Sequence, residues 1–302
     1  MSKTAATILY ALTLAFFGAF LFWPIWQVLQ GGFFDADGFT LAYVIEVFKN
    51  PIYLEGLRNA FGVATGTTIL GLLIAIPLAY MADRYEFPLK RLFMGAALLP
   101  IMLPPFVGAI GVKQIFGQFG AFNALLIQLG ISSPETAIDW LGRGQFWGVV
   151  VVSAFSLYPI LYLNAVASLA NIDPALEESA ENLGCRSWKR FFKITLPLMR
   201  PGLFAGSTIV FIWAFTELGV PLIFDYSRLT SVQIFYGIKD IGGNPFPYAL
   251  VSVMLGFSVL FYALGKGFFG RQPFSMLAKA SHASGAKQLG WWGKLVCTGL
   301  FT

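Results

Sequence analysis

The chain is poor in charge and poorer still in reactive side chains. Only 12% of its 302 residues are Asp, Glu, Lys or Arg, where a soluble domain carries about 25%. It has two cysteines, Cys185 and Cys297, and one histidine, His282. Two cysteines make no disulfide framework, and a lone histidine in a polar tail, with the carboxylates scattered into loops, makes no metal or acid–base constellation. A polytopic membrane enzyme therefore has nothing to work with. No GxxxxGK[ST] loop occurs, so this chain is not expected to bind ATP or any other cofactor itself. The formal charge of +5 is no nucleic-acid signal in so apolar a chain; what matters is where the basic residues lie.

Apolar residues are what the chain has, at 57% of the sequence and a mean hydropathy of +0.71. The fold class expected is an all-α, polytopic membrane protein. A helix needs roughly 20 apolar residues to cross the hydrocarbon core. Lys3 precedes a first run, Ala5 to about Leu29, broken only by Pro24; it lacks the short core and small-residue cleavage site of a signal peptide and reads as an uncleaved span. Gly31 to Leu57 is polar, with a short helix expected around Leu41 to Phe48. A second span is expected from about Asn59 to Met81; its Gly62 and Gly66 form a GxxxG, whose small residues let another helix approach closely.

A third span, about Leu92 to Phe116, is interrupted by Pro100, Pro104 and Pro105. Proline at membrane depth frees backbone carbonyls, which is tolerable where neighbouring helices or a water-lined cavity satisfy them. Pro104 and Pro105 are thus candidates for the translocation pathway, with packing alone as the alternative. Phe119 to Gly144 reads as an external loop, and Phe146 to Leu169 as a fourth span holding Pro159 and a second pathway candidate, Asn164. A fifth span, about Gly202 to Phe224, contains Glu217, the one carboxylate placed well inside a span and so a pathway candidate by its expense; a structural or interfacial role is the alternative. After a loop with Asp225, Arg228, Lys239 and Asp240 comes a sixth span, about Tyr248 to Phe269. Gly270 to Gly290 is basic, and the apolar stretch Trp291 to Thr302, at 12 residues, is too short to cross and reads as the start of a seventh span.

Between spans four and five lies a charged island, Ile172 to Pro201, with the grammar of two short helices joined at a glycine. Asp173 caps a helix with Pro174 as its first residue, and Glu177, Glu178 and Glu181 lie in its early turns, where carboxylates favour the positive end of the helix dipole. Gly184 ends that helix in a left-handed conformation. Ser187 is expected to cap a second helix carrying Lys189, Arg190 and Lys193, and Pro197 and Pro201 to close the two-helix unit. Leu176, Leu183, Trp188, Phe191 and Phe192 need an apolar partner other than lipid.

The spacing Glu178-Ser179-Ala180, three residues, Gly184, nine residues, Ile194-Thr195-Leu196-Pro197 resembles the EAA loop of the membrane permease subunits of binding-protein-dependent ABC importers. Ser179 stands where the family usually has alanine. The run Leu103-Pro104-Pro105-Phe106-Val107-Gly108-Ala109, with Gly120 and Asn123-Ala124-Leu125-Leu126, resembles the third-span region of ferric-iron and related permeases. The resemblance implies a six-span MetI-like bundle plus the start of a further span, with an ATPase-coupling set of Glu178, Ser179, Ala180, Gly184, Ile194, Leu196 and Pro197. It further implies a separate ATPase dimer that uses the ATP, an external (periplasmic) binding protein, and a second permease half, fused, homodimeric or heterodimeric. The tail Phe269-Gly270-Arg271-Gln272-Pro273-Phe274 looks like the join inside a tandem permease of the ferric type. Phosphonate, polyamine, thiamine and sulfate importers have related permeases, and a passive channel is a more distant reading.

With the N-terminus inside, Lys3, Arg84, Lys90, Arg91, the five basic residues of the island (Arg186, Lys189, Arg190, Lys193, Arg200), Lys266, Arg271, Lys279, Lys287 and Lys294 face the cytoplasm. Lys49, Arg58, Lys113, Arg143, Arg228 and Lys239 face out. This bias supports a cytoplasmic N-terminus, and the resemblance implies a cell inner (plasma) membrane. The domain division expected is 1–57, a first span with its external loop; 58–270, the permease core; and 271–302, the basic tail.

Overall fold

The computed structural model describes residues 3–141, 145–239, 244–269, 287–288 and 299. Among them, six helical stretches are long and apolar enough to cross a membrane: Thr4–Phe33, Pro51–Arg84, Pro105–Gln128, Gln145–Ala170, Ser187–Ile223 and Phe246–Gly267. Arg143 and Asp240 lie outside the described residues, as does nearly all of the tail with Arg271, Lys279, His282 and the apolar stretch from Trp291.

The first stretch is α1 (Lys3–Phe17), a π-helical turn (Gly18–Phe22) and α2 (Trp23–Phe33). Pro24 accounts for the turn. It has no N–H for the carbonyl four residues back and its ring presses on that carbonyl; a wider turn just ahead of it absorbs the mismatch, with the Trp23 N–H reaching back to the Gly18 carbonyl. A two-residue hairpin follows, β1 (Phe34–Asp35) with β2 (Gly38–Phe39). The expected short helix is α3 (Ala42–Lys49). Asn50 Oδ1 accepts the Ile52 N–H at 3.0 Å, and Pro51 opens α4 (Pro51–Arg84), so the second span begins well before Asn59.

The third span is not the single kinked helix expected over Leu92–Phe116. It is divided into α5 (Lys90–Ala96), α6 (Leu99–Met102) and α7 (Pro105–Phe116), and α8 (Ala121–Gln128) forms where an external loop was expected. Pro100 and the Pro104–Pro105 pair set these divisions: each removes a backbone donor, and Leu103 and Pro104 are extended ahead of the prolines that follow them. The carbonyl of Ala97 is freed at the first break, and the Tyr158 hydroxyl, 61 residues away in sequence, donates to it at 2.8 Å. Asn123 ties α8 down: its Nδ2 donates to the carbonyls of Gln118 (2.9 Å) and Ile138 (2.7 Å), and its Oδ1 accepts from the Trp140 indole at 3.2 Å.

The remaining helices are α9 (Gln145–Ala170), α10 (Pro174–Asn182), α11 (Ser187–Arg190), α12 (Leu196–Thr216), α13 (Gly219–Ile223), α14 (Thr230–Ile238) and α15 (Phe246–Phe269). Two further expectations are corrected here. The two-helix unit is not closed at Pro197 and Pro201: its second helix runs on through a π turn (Phe191–Thr195) into α12, which contains both prolines, the arrangement already seen ahead of Pro24. And the fifth span breaks at Glu217, after which α13 begins.

The chain divides into two compact units, 1–59 with 227–259, and 60–226 with 260–302; the segment 227–259 thus groups with the N-terminal region, whereas the sequence division put it in the core. In the first unit, Gly32 lets α2 press on α15: a Cβ there would lie 3.0 Å from the Tyr248 carbonyl. Gln233 of α14 donates to the Ile52 carbonyl at 2.9 Å, and Arg228 pairs with Glu55 at 3.2 Å.

In the second unit α9 is the central helix, with Val149, Ala154, Leu161 and Ala165 fully buried. Small residues of two neighbours lie on it. The Gly62/Gly66 pair of α4 does pack as a helix contact, with Phe146 and Val150 at 3.2 and 3.1 Å from the added Cβ positions. A second GxxxG, Gly202 and Gly206 of α12, fits against Ser168 and Asn164.

Candidate functional site

The island is built around its helix end. Asp173 Oδ1 accepts the Ala175 N–H at 2.9 Å and caps α10. At the other end Gly184 takes φ +78°, with its N–H on the Glu181 carbonyl and the Cys185 N–H on the Ala180 carbonyl, both at 2.9 Å. These are the paired bonds of a Schellman stop, which requires the left-handed residue that glycine supplies. Ser187 does not cap α11; Arg186 holds that position without a side-chain bond, and Ser187 is the first helical residue. Continuity through the π turn replaces a separate second start.

What fastens this loop is a residue read from sequence only as a dipole partner. Glu177 is 5% exposed while its neighbours Leu176, Glu178 and Ser179 are open. Its Oε1 accepts from the Thr195 hydroxyl at 2.7 Å, and its Oε2 pairs with Arg84 at the end of α4 at 2.5 Å. Arg84 also lies 3.1 Å from the Asp83 carboxylate and 5.9 Å from the Tyr80 ring centre. Arg190 pairs with Glu181 at 2.6 Å across the turn, and Phe191 meets the Tyr80 ring edge-on at 5.0 Å. The only sequence signal for the Arg84–Glu177 pair was two charges at the ends of apolar runs; nothing local says that they meet.

Of the residues singled out for coupling, Glu178 and Ser179 are exposed on α10, Ala180 is buried beneath it, and Gly184 is at the turn. Ile194 lies in the π turn, and Leu196 and Pro197 open α12. The apolar side chains left over point outward: Leu176 is 50% exposed, Leu183 89%, Trp188 76% and Phe192 54%. Trp188 and Phe192 stack at 5.7 Å, presenting one flat aromatic surface.

The pathway candidates fall in two places. Pro104 and Pro105 head α7, and Phe106 beside them lies 2.9 Å from a Cβ built on Gly219. Glu217 Oε1 accepts the N–H groups of Gly219 (3.0 Å) and Val220 (3.3 Å). Its carboxylate thus caps α13 at the break in the fifth span rather than standing in mid-helix. Asn164 is apart from these, packed on Gly206 about 16 Å back along α12 from Glu217, with its Nδ2 turned onto the Ile160 carbonyl at 2.8 Å. At the far end of α7, Lys113 pairs with Asp225 at 2.7 Å and bonds the Ile223 carbonyl at 2.6 Å, beside a cleft of about 360 Å³ that Gln114, Gln118, Asp139 and Gln145 also line.

Known proteins are similar to this chain in sequence and in fold. The chain is 27% identical over 299 residues to the putative ferric transport system permease protein FbpB 1 of Haemophilus influenzae, a match covering 94% of this chain and 44% of that one, so it spans less than half the length of that relative. It is 30% identical over 220 residues to a probable molybdenum ABC transporter permease protein of Haloferax volcanii, covering 72% of this chain and 77% of the relative. In structure it is similar to a bacterial ABC transporter involved in the import of the acidic polysaccharide alginate, with a TM-score of 0.69 at 18% identity over 89% of this chain and 97% of that one. The model for binding-protein-dependent transport system inner membrane components matches residues 68–272, more than half of the sequence and all of the loop around Gly184, and the chain belongs to that family.

Proposed function

We propose that this chain is the transmembrane permease part of an ATP-driven importer and forms the translocation pathway for ferric iron delivered by an external binding protein. It lies in the inner membrane with its N-terminus in the cytoplasm, so that the loop of Ile172 to Pro201 meets a separate ATPase dimer. That dimer binds and hydrolyses the ATP, this chain holds no cofactor of its own, and a second permease half completes the pathway. The observation that carries the reading is the outward apolar set Leu176, Leu183, Trp188 and Phe192 on a loop whose inner side is fastened by Glu177. A rigid loop that leaves its apolar side chains open in water is a docking surface.

The test is co-purification with the ATPase subunit of the importer. Leu183→Asp with Trp188→Ala is expected to reduce capture of the ATPase at least tenfold at unchanged membrane abundance; undiminished capture contradicts the assignment. Iron is favoured because the match to the ferric permease runs over 299 residues. The molybdenum relative, over 220 residues, supports an oxyanion as the second reading. Uptake of radiolabelled ferric iron and of molybdate, each with its binding protein, separates the two, and uptake of either that persists without ATP would mark a passive channel.

A further inference from the structure

We propose that Glu177, with Arg84, is a positioning residue that makes the docking loop and the cytoplasmic end of α4 a single rigid body, so that a push on the loop is delivered to α4 as well as to α12. This rests on the importer reading for the push, though not for the strut itself. One carboxylate holds three chain segments: α10 carries it, the π turn at the head of α12 binds Oε1 through Thr195, and α4 binds Oε2 through Arg84. Arg84 is the last residue of α4, and Thr195 immediately precedes α12. The carboxylate is 5% exposed on a helix whose other acidic residues are open, and a buried carboxylate persists only when its oxygens are paired. Loop connections through the backbone lead from α10 to α9 and α12; to α4, more than 80 residues earlier in the chain, the loop is joined by this ion pair and the Tyr80–Phe191 ring contact beside it. A ring contact slides. A charged pair with a third, hydrogen-bonded partner fixes both distance and direction.

The experiment places spin labels on Leu73→Cys of α4 and Ala175→Cys of α10, an exposed position outside the docking set, in the full chain, with Cys185 and Cys297 replaced by serine, and measures their distance distribution in lipid nanodiscs. The parent is expected to give one narrow distance in the chain alone, and the same distance with the ATPase in both nucleotide-free and vanadate-trapped states. Glu177→Ala and Arg84→Ala should each broaden it by at least twofold, and the double variant should add nothing further, because either loss removes the same link. Iron uptake per ATP hydrolysed should fall at least tenfold in each variant, a ratio that a drop in abundance does not move. Glu177→Gln, which keeps the shape and loses the charge, should insert normally and fall between. Narrow distances in the single variants, or a double variant broader than either, overturn the proposal. Absence of ATPase binding or iron uptake by the parent overturns the importer or the iron reading instead, and the distances in the chain alone still decide the strut.

Discussion

Gly206 of α12 lies directly on Asn164 of α9: a Cβ added to the glycine would fall 3.1 Å from the asparagine Cβ and 3.2 Å from its Cγ. The approach of α12 to α9 at this point is therefore set by the absence of a side chain. Gly206→Leu is expected to destabilise the protein by about 1–3 kcal/mol through overpacking. Gly206→Ala should be nearly neutral, since alanine regains about 0.5–1 kcal/mol of helix preference while asking the asparagine to yield slightly. Thermal unfolding of the detergent-solubilised protein measures both, and a leucine variant as stable as the parent would remove the close-contact argument.

The Tyr158 hydroxyl is the donor that the Ala97 carbonyl found when Pro100 and its neighbours broke the third span. Tyr158→Phe leaves the ring and removes the donor, and an unmet buried carbonyl costs about 1–3 kcal/mol. The same unfolding assay should show the loss, with hydrogen exchange rising first in α5 and α6. Unchanged exchange there would mean that another group satisfies the carbonyl.

Asn123 is 2% exposed and makes side-chain bonds to four residues: Gly117, Gln118, Ile138 and Trp140. Asn123→Leu keeps the volume and abandons all of them, and proteolysis within residues 117–141 should accelerate at least tenfold while the helices of the spans remain resistant. Equal cleavage of parent and variant would show that α8 is held by its apolar contacts alone.

Gly184 has open space where a side chain would go, with no atom within 4 Å of an added Cβ, but its φ of +78° is left-handed. Any effect of substitution there is conformational, costing roughly 1–2 kcal/mol for an ordinary residue. Gly184→Val is expected to uncouple uptake from ATP hydrolysis at normal membrane abundance, whereas Gly184→Asn, which tolerates this conformation, should keep most of the uptake. Full uptake by the valine variant is the result that would defeat the coupling role of this turn.

Much of this protein is written locally. The apolar runs are long enough that a membrane is the only solvent that suits them, and Asp173, Pro174 and Gly184 announce a helix with its two ends because capping and left-handed turns depend on residues a few positions apart. The Gly62/Gly66 face was legible for the same reason. Where local rules competed, they misplaced boundaries: Asn50-Pro51 started α4 early, and Pro197 was read as a stop although a π turn ahead of it carries the helix through.

Sequence alone determined the class of the chain, the charged loop between two spans and the turn at Gly184, all of which follow from hydropathy, periodicity and backbone preference over short distances. Only the tertiary structure decided which distant groups meet. Glu177 finds Arg84 and Thr195, Tyr158 finds Ala97, and Glu217 turns back to cap α13 at the break in the fifth span. Each of these pairings is a buried polar group seeking whatever partner the packing of helices brings within 3 Å or so, and that partner is chosen by the approach of whole helices, which no local stretch of sequence encodes.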